Sequence, residues 1–396
     1  MRIFYASDRT PNGALDSNLW RDNLYGSLVD LGHDVIEFNY DLAETYRHVN
    51  PASSTSRRFI ASNRPRVSRE LLAQVAAAHA VRPIDLFFSY FYDACVTPST
   101  ITTIRDMGIK TVNWYCNGSY QLELVREISP RYDYCLVPEK FRMDDYRRMG
   151  AVPIYCQEGA NPTVYYPYDV AQEYDVTFVG QAYGERPGYV KYLRETGIDV
   201  QVWGPGWHNF SDAESAGHRR SRRLRTLMSP QILNVLRRRV ASGHRTATHS
   251  ATRQNEDQLP TNLRIAHAAI HAPLSDLELV KMYSRSKINL GFSGCGETHL
   301  EKERIVQVRL RDFEVPMSGG FYMVEYMDEL AEFFEIGVEI VCYSGPKDLA
   351  DKVRYYLSHD DERQEIRQRG QSRCVRDHTW RKRLTDAFAQ MDGLPT

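Results

Sequence analysis

No stretch of this 396-residue chain approaches the ~18 consecutive apolar residues that a bilayer-spanning helix needs. Its opening, MRIFYASDRT, holds only the short apolar run IFYA ahead of polar residues, so no signal peptide is expected. Global charge is lacking as well. The net charge is −1, which gives no overall field toward nucleic acid or a membrane surface. The seven cysteines form no C-x-x-C pair and are odd in number. That spacing argues against a zinc site and a disulfide framework, and is expected of reduced thiols in a cytoplasmic protein. No D-x-D-type acidic triplet is placed to hold a metal. Finally, Asp and Glu are absent from 215–255, where ten arginines stand.

What remains is a globular composition, 42% apolar and 26% charged, and long enough for two cores. Residues 2–6 (RIFYA) read as a strand. A polar loop with Asn12 and Gly13 follows. A helix then carries Trp20, Leu24, Leu28 and Leu31 at helical spacing and stops at Gly32, before a second strand at 34–40. This is a βαβ opening, which implies a parallel sheet. The polar, Arg- and Ser-rich segment 48–70 reads as an irregular connection before a helix at 70–80. Near-continuous apolar runs at 85–90, 110–115, 133–138 and 152–156 continue the sheet. A second set of strands is expected at 175–180, 198–203, 263–270, 287–292, 321–324 and 338–343. Ser275 and Glu278 form a capping box at the start of a helix between them. The organisation expected is an N-terminal α/β domain over 1–167, a second over 168–375 interrupted by an insertion at 208–260, and a last helix over 376–396 that returns to the first domain.

The most informative segment is RLRDFEVPMSGGFYMVEYMDELAEFF, starting at Arg309. A carboxylate at Glu314 can accept both hydroxyls of a ribose, and Arg311 one turn before it can face a diphosphate. The Ser318-Gly319-Gly320 turn lets backbone N–H groups approach a ligand. The bland reading is a solvated Arg-x-x-Glu helix pair. With the downstream D-L-x-x-K-V-x-Y-Y-L helix and the H-T-W of 378–380, this run resembles the C-terminal domain of the CgeB, or spore-maturation, type of glycosyltransferase.

That resemblance implies a GT-B fold, two Rossmann-like domains facing across a cleft, with the acceptor on the first and a nucleotide sugar on the second. It implies a hexosyltransferase-like activity that retains anomeric configuration and uses no metal or other cofactor. Within it, Glu314 holds the ribose, Gly180 and Arg186 meet the phosphates, and Arg311 joins them. Gly204 borders the cleft with Trp207, and the backbone near Pro273 and Leu274 contacts the base. Gly13 sits in a loop used for phosphate or acceptor, and Glu158 and Asn161 line the cleft. Asp93 is the candidate base. Asn117 stands where relatives tend to carry an Asp, and Val306 stands where they often carry another Glu.

Those two departures motivate an alternative, a GT-B-shaped binding or assembly protein without turnover. The Arg-rich insertion motivates a second, a nucleic-acid-binding protein, although no stable nucleic-acid partner is expected. A sugar epimerase is a third. For the enzyme, the insertion is expected to dock with a cationic outer face, meeting an anionic or lipid-linked acceptor or making peripheral membrane contact.

Overall fold

The computed structural model of the chain describes residues 1–8, 17–212 and 258–394. The Asn12-Gly13 loop and the Arg-rich stretch 215–255 lie outside the described residues. Twelve strands form two separate sheets. The first contains β1 (Arg2–Ala6), β2 (Asp34–Glu37), β3 (Leu86–Ser89), β4 (Lys110–Trp114), β5 (Tyr134–Val137) and β6 (Pro153–Tyr155), in the order β2-β1-β3-β4-β5-β6. The second contains β7 (Tyr174–Val179), β8 (Val200–Trp203), β9 (Ile270–His271), β10 (Ser286–Gly291), β11 (Tyr322–Glu325) and β12 (Val341–Tyr343), in the order β12-β11-β10-β7-β8-β9. Every pairing is parallel. The apolar runs explain this: β3 is buried at all four positions, as a strand covered on both faces by helices must be.

Local signals act as expected at several ends. The helix Leu19–Asp30 stops before Gly32, whose φ of 80° needs a residue without Cβ strain. The Ser275 side chain accepts from the Glu278 N–H at the start of the helix Asp276–Arg285. Two expectations need correction. The segment 48–70 is no irregular connection, because one helix runs from Ser54 to Val81. Its buried stripe includes Asn63, Val67, Leu71 and Val75, and Asn63 donates to Thr45 Oγ1 at 2.8 Å. A polar residue therefore sits inside without an orphaned group, which hides the amphipathic pattern. The strand expected at 263–270 shrinks to Ile270–His271. Upstream, Ile265 exchanges backbone bonds with Phe210 and Asp212, which removes that stretch from the sheet.

The cleft faces are joined by the chain's return. After the helix Asp360–Asp377, Ala160 and Thr379 form a parallel bridge, and the helix Trp380–Phe388 enters the core of the first domain. The Trp380 ring meets Trp114 edge-on at 5.1 Å. Tyr155 donates to Glu329, and Lys140 pairs with Glu332, across the same junction. All seven cysteines are buried and free, and no helix among the described residues is long and apolar enough to cross a membrane. Trp380→Ala is expected to cost about 3–5 kcal/mol. Urea denaturation should show the loss in the transition of the first domain, although the residue lies near the chain's other end.

Candidate active site

In an open parallel sheet, ligands bind beyond the carboxyl ends of the strands, where the strand order reverses. In the second sheet that point lies between β7 and β10. Three arginines converge there. Arg186 follows β7, is buried, and donates to the Gln181 carbonyl at 2.9 Å and the Tyr183 hydroxyl at 2.6 Å. Arg309 is half-buried and reaches the carbonyls that follow β10, with its Nη2 2.6 Å from the Gly294 oxygen. Arg311 lies two residues on, in the helix Leu310–Met317, and is also half-buried. Both Arg186 and Arg311 lie over the ring of Phe178, with Cζ 5.3 and 5.4 Å from its centroid.

Among the described residues none of the three arginines forms an ion pair, and the Nε atoms of Arg186 and Arg311 are buried without a partner. Burial, with Arg309 and Arg311 close by, pushes the Arg186 guanidinium down to about 10. A cation held away from water without an ion-pair partner, as Arg186 is, is costly unless an anion arrives. An arrangement of this kind can hold an anion such as a diphosphate. A narrow recess of about 10 Å³ opens beside the arginines, lined by Tyr183, Arg186, Phe292, Cys295 and Glu325.

Glu314 stands one turn after Arg311 and is buried. Its carboxylate accepts from Tyr165 at 2.5 Å and from Tyr283 at 3.3 Å. Burial raises its pKa, against the pull of Arg311 and the two phenols. Arg311 and Glu314 are thus brought together. Gly180 joins them, because a Cβ on it would lie 3.2 Å from Arg311 Nη1. Gly204 is needed for close approach, since its φ is 133° and a Cβ there would lie 2.4 Å from the Gly180 oxygen. Trp207 is wholly buried and donates to that same oxygen at 2.7 Å. Leu274 packs with Val179, Trp203 and Met282 beside this edge, while Pro273 is exposed.

Two expectations about the site are corrected. The N–H groups of Ser318, Gly319 and Gly320 donate to the carbonyls of Glu314, Pro316 and Val315, so this turn terminates the helix and offers no N–H to a ligand. Asp93 accepts from the N–H groups of Glu127 and Ile128. Its carboxylate fastens a loop of the first domain, and burial raises it to about 6. Gly13 lies outside the described residues, as noted above.

On the opposite face, the first domain brings Tyr120 to 3.7 Å from the position of a Cβ on Gly296. Beneath it, Glu139 accepts from the Ser119 N–H at 3.2 Å, and Glu158 lies nearby. Each keeps one buried carboxyl oxygen without a partner among the described residues. Burial, reinforced by their mutual repulsion at Glu158, raises both, Glu139 to about 7. Sequence reasoning singled out Glu158 but missed Glu139, Arg309 and Phe178. Arg309 had one available signal, its place at the helix start two residues before Arg311. Among the described residues no group of three His, Cys, Asp or Glu is placed to hold a metal ion.

The raised Glu139 has a consequence for stability. Between the unfolded value near 4.5 and the folded value near 7 the native state holds a proton that the unfolded chain has lost, so stability falls as pH rises through that window. Glu139→Gln keeps the oxygen that accepts from Ser119 and removes the titration. Its melting point should match wild type near pH 5 and exceed it at pH 8, as scanning calorimetry would show.

Residues 186–389, just over half of the chain, match the family model described as glycosyl transferase-like. No curated protein matches in sequence. Among solved structures, sucrose-phosphate synthase from Thermosynechococcus elongatus is similar with a TM-score of 0.56, 12% identity and 98% of each chain covered. The Anabaena HepE protein in complex with UDP and glucose is similar with a TM-score of 0.52 and 10% identity, covering 99% of this chain and 100% of that one. A glycosyltransferase from Rickettsia africae gives 0.52 and 12%, covering 98% and 97%. Likeness at such identity bears on the fold, and the two facing parallel sheets are the GT-B arrangement.

Proposed function

Because the chain belongs to the glycosyl transferase-like family, we propose that it moves a sugar, a hexose by resemblance, from a nucleoside diphosphate to an acceptor held by the first domain. The single observation that carries the reading is the set of three arginines, none in an ion pair among the described residues, at the switch point between β7 and β10. They would hold the diphosphate and stabilise it as it leaves, which is the largest electrostatic demand of the reaction. Positive charge from the protein meets that demand without a bound metal. Glu314 would exchange the Tyr165 and Tyr283 hydroxyls for those of the ribose. Retention of configuration rests on the resemblance to the CgeB type. Glu139 and Glu158 lie buried on the first-domain side of the cleft, where their charge states would tune the site rather than touch an acceptor. An anionic or lipid-linked acceptor is a reading that depends on 215–255, outside the described residues.

A thermal-shift panel of UDP-, GDP-, ADP- and TDP-sugars tests this. UDP compounds come first, since the Anabaena neighbour was solved with UDP. A true donor at a hundredfold excess over its Kd should add about 2.7 kcal/mol of stability. Arg311→Met and Glu314→Gln should remove most of that gain, and a shift unchanged in both would sink the assignment. Arg186→Met should do something further. The fold bears the cost of that cation at neutral pH, since its folded pKa lies below the unfolded one. Removing it should therefore stabilise the ligand-free protein by roughly 1–4 kcal/mol while abolishing the response to nucleotide.

A further inference from the structure

We infer that Phe178 is a positioning residue for the diphosphate, its ring face standing where a carboxylate stands in an ordinary arginine pair. This rests on the diphosphate reading above. One ring serves two guanidiniums, those of Arg186 and Arg311, at nearly equal distances. The Tyr183 ring adds a second face to Arg186, 3.8 Å from its Cζ. An aromatic face attracts a cation and offsets part of its lost hydration, yet carries no net charge. A carboxylate would hold the arginines more tightly and would also neutralise them, which leaves nothing to attract a phosphate.

The same recess contains that other solution for comparison. Arg304 bonds to Glu185 at 2.5 Å and to Glu325 at 2.7 Å, so its charge is already answered. Arg186 and Arg304 line one recess, one held by rings and the other by carboxylates. The ring-held arginine is the one beside the strand switch point.

Phe178 is itself held firmly enough to aim them. It is 1% exposed, and meets Phe292 at 4.9 Å and Trp207 at 5.9 Å, both edge-on. Its tip faces Gly180, where a Cβ would come within 2.7 Å of Phe178 Cζ. Ring, glycine and Arg311 therefore form one close-packed unit. This places the requirement for Gly180 in packing against the ring, because a side chain there would push both the ring and the guanidinium aside. A hydroxyl on the ring tip would do the same, which rules out tyrosine as the conservative variant.

The test uses the full chain with two variants and two probes, UDP and inorganic pyrophosphate, titrated calorimetrically at fixed salt. Phe178→Leu keeps an apolar side chain without a π face. Replacement of Phe178 by 3,5-difluorophenylalanine keeps the shape and weakens the negative potential of the face. The leucine variant should lose about tenfold in affinity for both probes, and the fluorinated protein should fall between it and wild type. A role in packing alone would leave the fluorinated protein equal to wild type, and that result overturns the inference. Wild type that binds neither probe would instead remove the diphosphate reading, and this one with it.

Discussion

Positive charge held without an ion pair at the edge of the second sheet is the constraint around which the rest of the site is arranged. A buried guanidinium ordinarily demands a carboxylate, and this chain supplies carboxylates generously elsewhere, as at Arg304. At Arg186, Arg309 and Arg311, with the carboxylates of Asp312 and Glu314 beyond ion-pair distance, it supplies carbonyl oxygens, a phenol and aromatic faces in direct contact. Those groups stabilise the cations through dipoles and ring quadrupoles and leave the net charge in place. Such a cluster is less stable than fully paired arginines would be, a trade that functional sites commonly make. The many parallel strands and the returning helix provide the stability that such a site draws on.

The opposite face shows the complementary choice. Glu139 and Glu158 are acids in a place where ionisation is disfavoured by burial and by each other. Across the cleft, Arg309 opposes that repulsion at Glu158. An arriving diphosphate would take up that attraction, so the charge states of the two faces are coupled through space. The two domains are also joined by hydrogen bonds. Asn23 on the first domain donates to Tyr165, which donates to Glu314 on the second. Any group that displaces Tyr165 from Glu314 therefore alters a contact that ties the two domains together.

Much of the architecture was legible in the sequence because it depends on local or periodic features. Buried strands announce themselves as apolar runs, Gly32 as a helix stop, and Ser275 with Glu278 as a helix start. The helix Ser54–Val81 was hidden because its buried stripe includes Asn63, whose partner Thr45 is distant in sequence and cannot be foreseen. The strand at 263–270 failed for the same reason in reverse, since Ile265 has an apolar pattern but finds its backbone partners at 210 and 212. In the candidate site, Arg186 was proposed from the segment after the first strand of the second domain, and Arg311 and Glu314 from the R-x-x-E run that begins at Arg311. Arg309 and Glu139 were not, because what distinguishes them is the absence of a partner, and an absence has no sequence signature. The Ser318-Gly320 turn misled for a related reason: glycines that end a helix and glycines that admit a phosphate look alike until the N–H groups are followed to their acceptors.

That distinction bears on how the site arose from its fold. A helix start, a strand end and a reversal of strand order are available in any doubly wound sheet, and each favours an anion weakly. At this edge the direct contacts of Arg186 and Arg311 are with aromatic residues, chiefly Phe178 of the second core, and not with carboxylates. Phe178 belongs at once to that core, through Phe292 and Trp207, and to the arginine cluster. The apolar interior thus reaches the switch-point edge through this side chain. Through it, the packing that makes the domain stable also fixes where its unanswered charge points.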